Sequence, residues 1–181
     1  MITGKINKSK SKNELMEKIK KRIEEIVSIL KEIDEDDFAA QAGLSEKNIK
    51  KSEIELGISY PPDFRYFLSK MNGFSLDGEI VLPALVTEEG LIEESIPQVM
   101  KWERYEAANS MPEYFLPFSP NGRGDHYCFD LRRQDKNGIY PIIFWQWDYS
   151  YQCPDDDVEQ VNDDFVGWIK EIIEDMKEND T

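Results

Sequence analysis

The apolar residues of this chain change their period at about residue 74, and that switch limits the fold more than any single motif. Before it, Leu15, Ile19, Ile23, Ile26, Val27, Leu30 and Ile33 recur three and four residues apart. That spacing predicts an amphipathic helix from Glu14 to the acidic stretch DEDD. After the switch come short aromatic and β-branched runs, EIVLPALV, YFLPFSP, HYCFDL and YPIIFWQWDY. Such runs suit pleated, half-buried strands, and the stretches NGRGD and RQDKNG between them supply turn chemistry. Helical spacing returns in VNDDFVGWIKEIIEDMKE, where Phe165, Trp168, Ile169, Ile172 and Met176 share a face and Asn162 can cap the N-terminus. Helices first, strands in the middle and a helix last predict an α+β domain. Its centre is a mostly antiparallel β-sheet flanked by helices.

The helical part is sharply punctuated. Ser45 is a good N-cap, with Asn48 at the third helical position, and Gly57 suits a left-handed C-cap. Pro61 and Pro62 force an extended lead into FRYFLSKM, a short helix that Asp63 can cap or open. Asn72-Gly73 reads as its stop or as a turn, which makes the first seventy residues helical throughout. IPQVMKWERYEAA reads as a helix with Val99, Met100 and Trp102 inward. At the front, MITGKINKSKSKN reads as a mobile basic lead-in. The organisation is thus a lead-in plus amphipathic helix over residues 1–33, packed on a single domain over 34–181. A chain of 181 residues suffices for one substantial core.

Charge narrows the partners. The net charge is −15, yet residues 1–33 hold nine Lys/Arg against five Asp/Glu, which leaves the remainder at −19. Such a body repels nucleic-acid phosphates and anionic membrane surfaces and attracts basic proteins. Two cysteines, Cys128 and Cys153, make no disulfide framework. With one histidine they complete no zinc site unless a carboxylate joins. There is neither a secretory apolar segment nor a membrane-length apolar run. A cytoplasmic protein with reduced thiols is expected.

The stretch LPFSPNGRGDHYCFDL concentrates the candidates for chemistry. Alternation on a strand puts Asp125, Tyr127 and Phe129 on one side and His126, Cys128 and Asp130 on the other. A Cys128/His126 nucleophilic pair is therefore conceivable, although a Tyr-Cys-Phe strand favours a core thiol. Arg123-Gly124-Asp125 has no extracellular context that would make it an adhesion signal. Asn121, Gly122 and Gly124 supply a tight turn more simply. CPDDDVEQVNDDF carries six acids without the order or central glycine of a calcium loop, and reads as a solvated loop before a helix. In FWQWDYSYQ, alternation separates Phe144, Gln146 and Asp148 from Trp145, Trp147 and Tyr149. No carboxylate pair, metal cluster or cofactor loop emerges, so no enzyme, metal or cofactor is expected.

Four segments in order, IELGISYPPDFRYFLSKMNG, FLPFSPNGRGDHYCFDL, GIYPIIFWQWDY and DDFVGWIKEII, together resemble the signature of the SUKH superfamily, the Smi/Knr-type domain. The resemblance runs from about residue 45 to 175. It implies an α+β fold with a central antiparallel sheet and no catalytic residues. In bacteria it implies an immunity protein that binds and neutralises a cognate toxin, often a nuclease or deaminase. Eukaryotic members imply the alternative, a regulatory interaction module without a toxin. The basic helical extension at the N-terminus departs from the family. For the contact surface, the aromatic and acidic rim Tyr149, Tyr151, Asp155, Asp156 and Asp157 is expected to meet a basic toxin domain. Gly122, Gly124 and Asp125 are expected to shape the turn between two strands.

Overall fold

The computed structural model describes residues 3–86, 92, 94–148 and 158–179, with the backbone alone at 3–12 and at 179. Helix α1 spans Thr3–Leu30 and buries Ile19, Ile23, Ile26, Val27 and Leu30, the expected stripe. It begins at Thr3, so the lead-in expected to be mobile continues the helix. Extending a helix already fixed by packing needs only one added bond per residue and no new nucleus. Beyond Leu30 the backbone reverses at Asp34, whose carbonyl accepts from the amides of Asp37 and Phe38. Strand β1 follows at Phe38–Ala42. The sequence reading missed it, because the alanine-rich FAAQA has little strand character of its own. Its conformation comes from pairing.

Helix α2, Glu46–Leu56, has the caps read from the sequence: Ser45 Oγ accepts from the Asn48 amide, and Gly57 is left-handed at φ 70°. From α2 the buried Glu53 reaches the Tyr60 amide (3.1 Å) and Arg65 Nε (3.0 Å). Ser52 Oγ bonds the Tyr60 hydroxyl and donates to the Ala84 carbonyl. These bonds pin the proline turn and the start of α3, Pro62–Lys70. The chain then passes directly into β2, Met71–Leu76, so Asn72-Gly73 lies inside a strand and is neither a helix stop nor a turn. Buried Asn72 accepts from the Ala84 amide and donates to the Leu85 carbonyl. Strand β3 is only Glu79–Val81; Pro83, which has no amide hydrogen, stands just past its end.

Helix α4, Ile96–Tyr105, precedes β4 (Phe115–Pro120), β5 (His126–Asp130), β6 (Ile142–Trp145), β7 (Gln160–Asn162) and the closing helix α5 (Phe165–Asn179). The strands form two antiparallel ladders, β1-β2-β3 and β4-β5-β6-β7, and the Leu82 amide bonds the Phe118 carbonyl where the two meet. This is the α+β architecture expected. On one face α1, α3 and α5 enclose an aromatic core in which Phe64 lies 5.0 Å from Phe165 and Phe118 lies 4.9 Å from Trp168. On the other face a smaller cluster holds Met111, Phe115, Cys128, Ile143 and Trp145. Helix α1 belongs to the main core, which answers where the amphipathic N-terminal helix docks. Asp164, not Asn162, receives the first-turn amide of Gly167 in α5; Asn162 sits in β7 and accepts from the Asp164 amide.

Among the described residues of the main core, Asp63 is a buried acid with no direct cationic partner. Asp63 accepts from the Phe64 amide at 2.9 Å, and burial, followed by the nearby Asp164, pushes its carboxyl from 3.8 up to about 6 despite Arg22. A raised folded-state value means that ionisation opposes folding. The protein is relieved of that cost below pH 4, begins to bear it between 4 and 6, and bears it fully at pH 7. Two units correspond to roughly 3 kcal/mol. Asp63→Asn keeps the acceptor and removes the charge. It is expected to stabilise the fold at pH 7 by about 1–2 kcal/mol, since the new amide hydrogens recover less than the full amount. The gain should fade by pH 4. Urea unfolding of both proteins from pH 4 to 8 checks this, and a pH-independent difference would count against it.

Candidate functional site

Antiparallel pairing gathers four separate connections at one end of the sheet. Phe38 pairs with Leu76, and the Asp37 carbonyl accepts from the Asp77 amide, so the DEDD stretch lies beside the β2–β3 turn. His126 pairs with Trp145, which puts the 121–125 turn beside the residues leaving β6. Asp34, Glu35, Asp36, Asp37, Asp77, Asp148 and Glu159 are all exposed at this end. Arg123, at the tip of its turn, is an exposed positive charge among them. The carboxylates outnumber it, so this end presents a negative field to approaching molecules.

The 121–125 turn is built as the sequence suggests. Asn121 Oδ1 accepts from the amides of Arg123 and Asp125, and Gly122 and Gly124 take φ of 72° and 96°. Asp125 does more than shape the turn. Its Oδ1 accepts from the Trp147 amide at 3.2 Å, while Asn109 Nδ2 donates to the Trp147 carbonyl at 2.7 Å. The Trp147 backbone is thereby fixed on both sides, and its indole lies against Gly124. That side chain remains 49% exposed. A large aromatic with a fixed backbone loses little entropy on meeting a partner, which is what an interface anchor requires.

The rim expected from the sequence, Tyr149, Tyr151, Asp155, Asp156 and Asp157, lies outside the described residues, as does Cys153. Its described neighbours, Trp147 and Asp148 before it and Val158 and Glu159 after it, belong to this end of the sheet. The alternation read for FWQWDYSYQ holds only to Trp145, where β6 stops: Trp145 is buried and Phe144 packs on Tyr127.

His126 and Cys128 share a face, as alternation requires, but they form no nucleophilic pair. The Cys128 thiol is fully buried, donates to the His126 carbonyl at 3.7 Å, and is pushed well up by burial and then by Glu103. A thiolate is therefore disfavoured. His126 Nε2 lies 3.0 Å from Glu103 Oε1, and its ring stacks on Trp145 at 5.9 Å. The sequence reading missed this pair because it turned Trp102 inward. Trp102 is 55% exposed, and Val99, Met100 and Glu103 form the buried side of α4. The signal was present: Ile96, Val99, Met100 and Glu103 keep strict helical spacing, and an acid on that stripe calls for a polar partner. Among the described residues no group of His, Cys, Asp and Glu is arranged to hold a metal ion, and no helix is long and apolar enough to cross a membrane.

A family model described as the SMI1/KNR4 family (SUKH-1) matches residues 43–171. That span runs from just before α2 into α5 and includes the whole 121–125 turn and Trp147. No curated protein matches the chain.

Proposed function

We propose, because the chain belongs to the SMI1/KNR4 family (SUKH-1), that it is an immunity protein, which binds a cognate bacterial toxin in the cytoplasm and neutralises it. The partner is a basic toxin domain of the nuclease or deaminase kind, whose positive substrate site would be occluded. The observation that carries this reading is the acidic end of the sheet with the exposed Trp147 held on it by two backbone hydrogen bonds. Carboxylates spread over several loops steer a basic surface, and a fixed indole anchors it. Tyr149, Tyr151 and Asp155 to Asp157 extend the same surface in this reading.

Co-expression with the toxin-like product of the neighbouring gene tests it, scored by survival and co-purification. Rescue and a stable complex are expected. Association should slow by about tenfold or more between low and high salt, and Trp147→Ala should weaken the complex by about ten- to a hundredfold. Dead cells without a complex would overturn the reading and favour a regulatory module, to be pursued by unbiased pull-down.

A further inference from the structure

On the main-core face, at the same end of the sheet, a cleft of about 370 Å³ opens between α5 and the strands. Tyr127, Trp168, Ile172 and Met176 give it apolar walls, with the Tyr127 and Trp168 rings 5.2 Å apart. Asp77, Glu79, Glu171 and Asp175 supply its polar lining, and among the described residues no lysine or arginine lines it. We propose that this cleft is a socket for one arginine side chain of a protein partner. The choice of a protein partner rests on the function proposed above; the choice of arginine rests on the cleft.

Three alternatives fit less well. An anion would meet four carboxylates. A metal ion needs ligands converging on one point, and among the described residues no such grouping exists. A wholly apolar ligand would leave the carboxylates desolvated and unpaired, which is costly. What remains is a cation on an apolar stem. Guanidinium stacks on aromatic faces while its donors reach carboxylates in several directions, and the methylene stem covers Ile172 and Met176. The volume is near the lower end for ligand pockets and suits a side chain better than a helix. The local field agrees. Burial and then Asp77 raise the Glu79 carboxyl, while burial, Glu79 and Asp175 raise the Tyr127 hydroxyl. An arriving cation offsets the repulsion between the Glu79 and Asp77 carboxylates.

The test is a titration of the isotopically labelled full chain with acetyl-Gly-Arg-Gly-amide, followed by amide and indole resonances. The peptide with citrulline in place of arginine keeps the shape and removes the charge. The arginine peptide should shift the Trp168 indole and the Tyr127, Glu79 and Asp175 amides to saturation, and citrulline should not. Glu171 and Asp175 are exposed on α5, so Glu171→Gln with Asp175→Asn should fold normally, confirmed by an unchanged thermal midpoint. That double variant should bind at least tenfold more weakly. No saturating shift at these residues, equal binding of citrulline, or an unweakened double variant would overturn the socket. If the titration fails while co-expression still rescues, the socket alone is wrong. If rescue fails while the arginine peptide binds as described, the toxin partner is wrong and the socket stands.

Discussion

Gly73→Ala is expected to lower stability by about 3–4 kcal/mol, and the reason lies entirely in tertiary contact. Gly73 sits in β2 at φ 83°, a conformation that costs an alanine about 1–2 kcal/mol. A Cβ there would also lie 2.6 Å from the Val81 carbonyl oxygen and 2.8 Å from the Pro83 nitrogen. Both are backbone atoms. They cannot rotate away, because Leu82 between them is bonded to Phe118 and Asn72 holds Ala84 and Leu85. Overpacking of this kind adds about 1–3 kcal/mol. Gly78 provides the control: its φ is 88°, but nothing lies within 4 Å of its Cβ position. Gly78→Ala should therefore cost only the conformational part, about 1–2 kcal/mol. Thermal unfolding should separate the two, with Gly73→Ala melting about 10 °C below the native chain. If the two variants melt within two or three degrees of each other, the close approach of β2 to residues 81–83 is not what fixes this joint.

The same joint shows what the sequence could and could not disclose. Asn-Gly after a short helix is a turn signal by local rules, and the local rules were outvoted. The asparagine is spent on the backbone of residues 84 and 85, and the glycine on the close approach of residues 81–83. FAAQA was invisible for a related reason, since its strand state is supplied by register with β2. By contrast, features whose cause is local were legible. The Ser45 and Gly57 caps, the buried face of α1, the 121–125 turn and the β4–β5–β6 strands all follow from spacing and turn chemistry.

The candidate site divides along the same line. Trp147 and Asp148 were visible in the sequence as part of FWQWDYSYQ, while the rim expected at Tyr149, Tyr151 and Asp155 to Asp157 lies outside the described residues. The extent of the site was not visible, because Asp34 to Asp37, Asp77 and the 121–125 turn are far apart in the chain and come to the same end of the sheet through antiparallel topology, where Asp125 bonds the Trp147 amide. The Glu103–His126 pair was hidden by a rotation of α4 that placed the wrong residue inward. An indole is the more hydrophobic choice. The carboxylate goes in because an imidazole waits for it.

Asp130→Ala is expected to cost about 3 kcal/mol at pH 7. The strand-ending aspartate of HYCFDL is fully buried, yet it accepts four hydrogen bonds: Arg132 amide at 3.0 Å, Arg132 Nε at 2.9 Å, Arg132 Nη2 at 2.9 Å and Arg133 Nε at 2.7 Å. The Arg132 guanidinium also lies 4.1 Å from the centre of the Tyr114 ring. Burial alone would raise the Asp130 carboxyl. The Arg132 side chain and amide, with Arg133, outweigh it and hold the group below its ordinary 3.8. Breaking a buried pair typically costs 3–5 kcal/mol, and the low end applies because both guanidinium groups reach water once released. Asp130→Asn keeps an acceptor for the Arg132 amide and should lose about half as much. The sign with pH follows from the lowered carboxyl. The native chain keeps this stabilisation above the ordinary value and loses it only as pH falls through the lowered one. Urea unfolding should therefore show a constant gap between native and Asp130→Ala protein from pH 7 to about 4, narrowing below that. A gap under 1 kcal/mol at pH 7 would mean that the two arginines are held in place by Tyr114 and the sheet rather than by the carboxylate.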